Sequence, residues 1–383
     1  MRDLEQHIRQ RLAEIDAAGL RRNLRAPDGV DLSSNDYLGL AAHPLLKERM
    51  ADAVMREGCG STASRLLRGQ RESFAAIERR FAAFKGTEAS LYFSSGYLAN
   101  LGVLSTLPEE GDVVFSDELN HASLIDGLRL SRARRVIFPH ADVKALREQI
   151  EREPDARRFL VTESLFSMDG DEAPLREYAE ICRASNTALI VDEAHAVGIY
   201  GDNGSGLIEE AGIGGDVFLS INTAGKALGV GGAFAAGPAW ALEYLVQRAR
   251  SFIFSTAPPP AMASALDAAL DVVAAEPERR RRLQENAVFL RRRLHETGFS
   301  IPAGRSQIIP VMIGGNERAV AAAAALVEDG FDVRAIRPPT VPPGTARLRI
   351  SVNAAVDTAT LEQFARALGS AVARFTPCSV ASS

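Results

Sequence analysis

The stretch Val217-Phe-Leu-Ser-Ile-Asn-Thr-Ala-Gly-Lys226-Ala-Leu-Gly-Val-Gly-Gly232 is an apolar run that leads into a lysine set among small residues. Its first five residues have strand character, and the glycine-rich segment behind them lets a flat ligand lie against the backbone. A lysine amine is a nucleophile or base near neutral pH only when desolvation or a nearby cation lowers its pKa. A lysine at the end of a buried strand meets that condition, whereas a surface lysine in a glycine-rich loop does not. Taken alone, the stretch fits the surface reading at least as well, so the rest of the chain has to decide.

Outward from this run the same texture repeats. Ala89-Ser-Leu-Tyr-Phe93, Asp112-Val-Val-Phe115, Arg135-Val-Ile-Phe138, Arg158-Phe-Leu-Val-Thr162 and Ala188-Leu-Ile-Val-Asp192 are short apolar runs, most of them separated by helix-like segments. That alternation predicts an α/β domain around a largely parallel sheet. Before it, Leu4, Ile8, Leu12, Ile15 and Leu20 fall at roughly helical spacing, which predicts an amphipathic N-terminal helix ending near Gly19. Val30-Asp-Leu-Ser-Ser-Asn35-Asp-Tyr-Leu-Gly-Leu40 reads as a short strand entering a turn, and His43-Pro44 sets off a helix. Residues 58–69 are a run of small residues expected to loop close to something flat or to another chain, and Phe74, Ile77, Phe81 and Phe84 mark the buried stripe of the next helix.

After Phe252-Ile-Phe-Ser-Thr256-Ala-Pro-Pro-Pro260 the texture changes to one long helical region over residues 261–296. Strands are expected over residues 308–313, 331–334 and 347–352, helices over 318–329 and 358–375, and fraying over 376–383. The expected organisation is an N-terminal arm (1–43), a large domain (44–265) and a small α+β C-terminal domain (266–383).

Composition narrows the function. The 383 residues are 46% hydrophobic and 24% charged, enough to bury a large core, and the formal charge is −5. No basic patch interleaves with aromatics, so a nucleic-acid surface is not indicated; Arg279-Arg-Arg-Arg282 reads as a solvated helix face. Three cysteines without ligand spacing argue against a disulfide framework and against a metal site. No apolar stretch reaches about 18 residues and the N-terminus lacks the core of a signal peptide, so no membrane association and a cytoplasmic location are expected.

In a parallel sheet, ligands sit at the carboxyl ends of the strands, so the polar residues just past each strand belong together. They are Ser94-Ser-Gly96-Tyr97, Glu163-Ser-Leu-Phe-Ser167, Asp192-Glu-Ala-His195 and Thr223-Ala-Gly-Lys226. A helix opening at Gly96-Tyr97 offers backbone N–H groups and a positive dipole end to a phosphate. Asp192 at the end of an apolar run is costly to bury unless it meets a cation, and a protonated ring nitrogen would be one. His195 lies where it can bond the same ring, and His121, in a loop after a strand, can stack on an aromatic ligand. Arg347 and Arg349 fall on one face of their strand, so periodicity does not choose which grips a carboxylate.

These motifs, together with Ser34-Asn-Asp-Tyr-Leu-Gly-Leu40, Phe93-Ser-Ser-Gly-Tyr97, Glu163-Ser-Leu-Phe-Ser-Met-Asp-Gly-Asp171 and Phe252-Ile-Phe-Ser-Thr256, resemble the α-oxoamine synthases among the fold-type-I pyridoxal 5'-phosphate enzymes, over residues 20–355. The resemblance implies a large domain with a mainly parallel seven-stranded sheet flanked by helices, and a homodimer with the active site at the interface. It makes Lys226 the Schiff-base lysine, Asp192 the partner of the pyridinium nitrogen, and His121 the residue stacked on the ring. His195 and Ser167 would bond the ring's phenolic oxygen; Gly96, Tyr97 and Thr223 would hold the phosphate, with Thr256 reaching the neighbouring subunit's. Arg349 and Asn35 would take the amino-acid carboxylate, and Arg21 and Thr340 the acyl substrate. Ala335-Ile-Arg-Pro-Pro-Thr340-Val-Pro-Pro-Gly-Thr345-Ala-Arg-Leu-Arg349 is most similar to the branch that joins L-alanine to pimeloyl-CoA or a pimeloyl carrier protein. Branches using glycine with acetyl-CoA share the lysine, aspartate and histidines, and a fold-type-I aminotransferase would use the same Asp and Lys.

Overall fold

The computed structural model describes residues 1–374, so the expected fraying of residues 376–383 lies outside the described residues. By its contacts the chain divides into two compact units. One holds residues 1–34, 168–170 and 282–383, and the other residues 35–167 and 171–281.

The first unit begins with α1 (Arg2–Ala17), which closes where Gly19 turns left-handed at φ 66°. The helix is amphipathic as expected, yet its stripe of Leu4, Ile8, Leu12 and Ile15 is exposed. Strand β1 (Val30–Asp31) follows.

The second unit carries α2 (Pro44–Glu57), α3 (Glu72–Lys85), β2 (Ala89–Phe93), α4 (Gly96–Leu104), β3 (Val113–Asp117) and α5 (Ala122–Leu130). It continues with β4 (Arg134–Phe138), α6 (Val143–Glu151), β5 (Arg158–Glu163), α7 (Leu175–Ser185), β6 (Thr187–Asp192), α8 (Leu207–Ala211) and β7 (Val217–Thr223). Then come β8 (Ala233–Gly237), α9 (Ala239–Arg248), α10 (Arg250–Ile253) and α11 (Ala261–Ala275). The seven strands form one sheet in the order β2-β8-β7-β6-β5-β3-β4. All neighbours are parallel except those of β8, which runs against both β2 and β7. Strand alternation sorts the core into two faces. Phe93, Val114, Val161, Ile190 and Ile221 pack with Val103, Leu124 and Leu245 from α4, α5 and α9. On the opposite face Phe234 stacks on Phe81 of α3, ring centroids 3.9 Å apart.

Three features depart from the sequence reading. Strand β8 is an Ala-rich run without β-branched residues, so it carries little strand signal of its own. The helical region 261–296 is two helices, α11 and α12 (Pro277–Glu296), because a proline at the first helical position starts a new helix more readily than it continues one. The passage from one unit to the other falls inside α12, between residues 281 and 282, rather than at the expected 265/266.

The rest of the first unit comprises β9 (Ile308–Gly314), α13 (Asn316–Glu328), β10 (Phe331–Asp332), β11 (Arg334–Ile336), β12 (Ala346–Ser351) and α14 (Thr358–Ala373). Strands β11, β12 and β9 form an antiparallel sheet, and β10 pairs in parallel with β1, which ties the N-terminal segment to this unit. Residues 1–34 thus belong with the C-terminal part, while the turn from Asn35 onward belongs with the seven-stranded sheet.

Candidate active site

At the carboxyl ends of β2, β3, β5, β6 and β7 the second unit collects Gly96, His121, Glu163, Asp192 and Thr223–Lys226 as the strand pattern predicts. Asp192 ends β6 with its side chain buried. Its Oδ1 accepts from the Ala194 N–H and its Oδ2 from Asn100 Nδ2, both at 2.8 Å. Asn100 also donates to Ser123 Oγ at 2.9 Å, and Ser123 Oγ lies 2.7 Å from His121 Nδ1. His121 Nδ1 further accepts from the Ser123 N–H at 3.2 Å, which makes it the acceptor nitrogen and leaves the proton on Nε2. Desolvation is the main cause that lowers the His121 pKa; Lys226 lowers it further and Asp192 opposes. The imidazole, exposed on one side, is therefore held neutral.

A second chain of bonds runs through Lys226. Its half-buried Nζ sits 2.7 Å from His195 Nε2, His195 Nδ1 sits 2.7 Å from the Tyr37 hydroxyl, and that hydroxyl donates to Asn35 Oδ1 at 2.9 Å. Because the single phenolic proton goes to Asn35, Tyr37 accepts from His195 Nδ1–H, and Nε2 is left to accept from the lysine. His195 and Tyr37 are buried, so this orientation is fixed by packing as well as by bonds.

Gly96 opens α4, whose N-cap Ser95 accepts from the Leu98 N–H. A Cβ on Gly96 would stand 2.3 Å from Thr223 Oγ1, so α4 approaches the end of β7 only because residue 96 has no side chain. Tyr97 is exposed, with its hydroxyl on Asp126. Ser167 is buried, and Thr256 is exposed on a segment bridged to Ser64 of the loop over residues 58–69.

The remaining expected site residues lie in the first unit. Arg349 and Arg347 share one face of β12, both buried. Arg347 is engaged by Asp169 and by the Thr345 carbonyl at 3.1 Å, whereas Arg349 donates to Ser351 Oγ at 2.7 Å. Arg337 brings Arg21 and Thr340 together: its guanidinium donates to the Arg21 carbonyl at 3.1 Å, and its own carbonyl accepts from the Thr340 N–H at 3.1 Å.

Tyr37, Asn100 and Ser123 escaped the sequence reading as site residues, and Glu163 entered it as a strand-end polar residue without a role. Tyr37 and Glu163 stood inside quoted motifs, but nothing local marks which letter of a motif faces the site. Among the described residues there is no cluster of three or more His, Cys, Asp and Glu able to hold a metal, and no helix long and apolar enough to cross a membrane.

The chain is similar to known proteins over nearly its whole length. The profile of the aminotransferase class I and II family matches residues 27–368. An 8-amino-7-oxononanoate synthase of Anaeromyxobacter dehalogenans is 49% identical over 381 residues, covering 96% of this chain and 95% of that protein. A serine palmitoyltransferase of S. paucimobilis, solved with a bound PLP–myriocin aldimine, superimposes with a TM-score of 0.90 at 28% identity, covering 97% of this chain and 98% of its own. The 8-amino-7-oxononanoate synthase of Francisella tularensis does so with a TM-score of 0.78 at 29% identity, over 90% and 98%. The chain belongs to the class I and II aminotransferase family and, within it, to the 8-amino-7-oxononanoate synthases.

Proposed function

We propose that this protein condenses L-alanine with a pimeloyl thioester of coenzyme A or of an acyl carrier protein, releasing CO2 and the free thiol and giving 8-amino-7-oxononanoate for biotin synthesis in the cytoplasm. The observation that carries the reading is Lys226 Nζ held 2.7 Å from His195 Nε2 beside the buried Asp192, on a chain whose curated relatives bear that enzyme's name.

The residues present fit pyridoxal 5'-phosphate. Asp192 offers a buried carboxylate to a ring nitrogen, Lys226 an amine to an aldehyde, and the side-chain-free Gly96 lets the α4 N-terminus meet Thr223 where a phosphate would be held. Tyr97 and the partner subunit's copy of Thr256 would complete the phosphate site, and Ser167, with His195 once Lys226 has turned to the aldehyde, would bond the ring oxygen. When bound, the cofactor supplies the electron sink that makes the alanine Cα–H acidic.

The chain's own residues do the rest. Lys226 takes the Cα proton, with His195 fixing the direction of its amine through Tyr37. His121, neutral and carrying its proton on Nε2, would stack on the ring and could offer that N–H to the incoming carbonyl. Arg349 and Asn35 hold the alanine carboxylate, and Arg21 and Thr340 the acyl chain. The Cα electron pair attacks the thioester carbonyl, the C–S bond breaks, and the thiolate leaves, taking a proton from water to give the free thiol. The resulting β-keto acid loses CO2, and Lys226 returns the proton.

The protein acts as a homodimer with its sites at the interface. Leu66, Leu67 and Phe254 are exposed beside the Ser64–Thr256 bridge, and this apolar surface supports the reading that a second copy covers it.

The test is thiol release by cofactor-loaded protein with L-alanine, glycine or L-serine, each against pimeloyl-, acetyl-, succinyl- and palmitoyl-CoA and pimeloyl carrier protein. Release confined to alanine with a pimeloyl donor is expected. Glycine with acetyl-CoA would move the chain to another branch. Turnover with a 2-oxo acid and no thiol release would make it an aminotransferase.

A further inference from the structure

Glu163 is a buried ionisable side chain that the mechanism above does not use. It ends β5 directly beside Asp192, its register partner at the end of β6. Strand alternation puts Phe159, Val161 and Glu163 on the sheet face that carries Ile190 and Asp192, so the two carboxyl groups point into the same site. The Glu163 carboxyl accepts from the His121 backbone N–H, at the residue that caps α5. Its Oε1 is fully enclosed and has no hydrogen-bond partner.

A buried carboxyl in that state is expensive as an anion and cheap as an acid. Asp192 is the group of the pair that is provided for, with two donors on its two oxygens. The charged groups that act on Glu163 are Asp192 on β6 and Lys226 after β7, with His121 at the start of α5, and Asp117 at the end of β3 from the other sheet face. Burial, reinforced by Asp192 and Asp117 against Lys226 and the His121 N–H, pushes Glu163 up to about 8.

We propose, on the basis of the cofactor-site reading above, that Glu163 is a positioning residue: a neutral acid that fixes the turn carrying His121 and leaves Asp192 as the charged member of the pair, free to meet the ring nitrogen. Protonated, it holds the His121 backbone without competing with Asp192 for the ring's positive nitrogen. Ionised, it places a second negative charge in the same site and draws His121 toward its protonated form.

Two variants separate these roles. Glu163→Gln keeps the acceptor for the His121 N–H and cannot ionise; Glu163→Ala removes both. The first readout needs no cofactor: the pH titration of the His121 ring by NMR in the [13C]histidine-labelled protein. Wild type is expected to show a second inflection near pH 8, and Glu163→Gln to lack it. The second readout is turnover. Glu163→Ala is expected to lower kcat about tenfold, the scale on which an orienting partner acts, with KM for alanine changed less than about twofold, and Glu163→Gln to restore most of it. An inflection that survives in Glu163→Gln, or a Glu163→Ala enzyme with wild-type kcat, overturns the proposal. Because the NMR titration is read on cofactor-free protein, its result stands even if the substrates prove to be different.

Discussion

His140 offers a quantitative test of how the loops around the site are held. Its Nδ1 sits 3.0 Å from Asp117 Oδ1, at the end of β3, and its Nε2 sits 2.6 Å from Asp171 Oδ2, in the turn that follows Ser167. The ring also meets Phe166 edge-on, with centroids 4.4 Å apart. Both nitrogens face carboxylates, so the ring is an imidazolium; the bonds to Asp117 and Asp171 outweigh desolvation and raise its pKa from 6.5 to about 10. A folded-state pKa above the unfolded one gives stability that is fully present below about pH 6.5 and is lost as pH rises through about 10. That interval, at about 1.4 kcal/mol per decade of proton affinity, sets a ceiling of about 5 kcal/mol. Solvent reaches part of the ring, and screening brings the expected value down to about 2–3 kcal/mol. His140→Gln should therefore lower Tm by about 3 °C at pH 6, since a chain of 383 residues loses about 0.8 kcal/mol per degree at its midpoint, with the gap to wild type closing steadily to about 1 °C or less above pH 10. Differential scanning calorimetry of both proteins across that range measures it, since other ionisations cancel in the difference. A gap that does not change with pH would refute the imidazolium. So would full additivity between His140→Gln and Asp171→Asn, which remove one shared interaction.

Other outcomes follow from the same geometry. Tyr37→Phe strips His195 Nδ1 of its partner and should cost about 1–3 kcal/mol of stability together with about a tenfold loss of kcat; wild-type kinetics would show that the His195–Lys226 contact needs no support. Gly96→Ala places a Cβ 2.3 Å from Thr223 Oγ1 and should weaken pyridoxal phosphate binding at least tenfold in an absorbance titration, whereas Gly214→Ala, with no atom within 4 Å of its Cβ, should bind as wild type. Arg65 makes two 3.0 Å bonds to Glu78 in a nearly buried pair, so Arg65→Met should destabilise by about 3–5 kcal/mol in denaturant unfolding. Arg65→Met/Glu78→Met should recover most of that loss; if it does not, the pair contributes more than the relief of a stranded charge.

Much of this architecture could be read in the letters. Six of the seven strands of the large sheet announce themselves as β-branched or aromatic runs, and the residues just past their ends converge as a parallel sheet requires. Strand β8 was invisible for the reason that makes it useful. Ala233-Phe-Ala-Ala-Gly237 lacks branched side chains, and that lets it lie tightly between two neighbours: a Cβ on Gly237 would meet the Phe218 carbonyl at 2.7 Å. The boundary in α12 was hidden because it falls between residues 281 and 282, inside one continuous helix whose texture does not change there. Within the site, Lys226, Asp192 and His195 could be picked out because each follows a strand. The bonds that orient them could not, since Asn35–Tyr37–His195–Lys226 and Asp192–Asn100–Ser123–His121 join residues far apart in sequence. Glu163 is one acid among many until the register of β5 and β6 sets it against Asp192.

The place of β8 in the sheet also governs how the chain is made. Strand β2 has β8 as its sole neighbour in the sheet, and roughly 140 residues separate them. At about 5–20 residues per second on a ribosome, β2 waits roughly 7–30 s for its partner. Throughout that time Leu91, Tyr92 and Phe93 are available to any other strand edge, including that of a second nascent chain. The parallel core β3 to β7 can assemble meanwhile, but the edge that carries Gly96 cannot close. Cofactor capture thus belongs to the finished sheet, and the interval before β8 emerges is when this protein most needs a chaperone's cover.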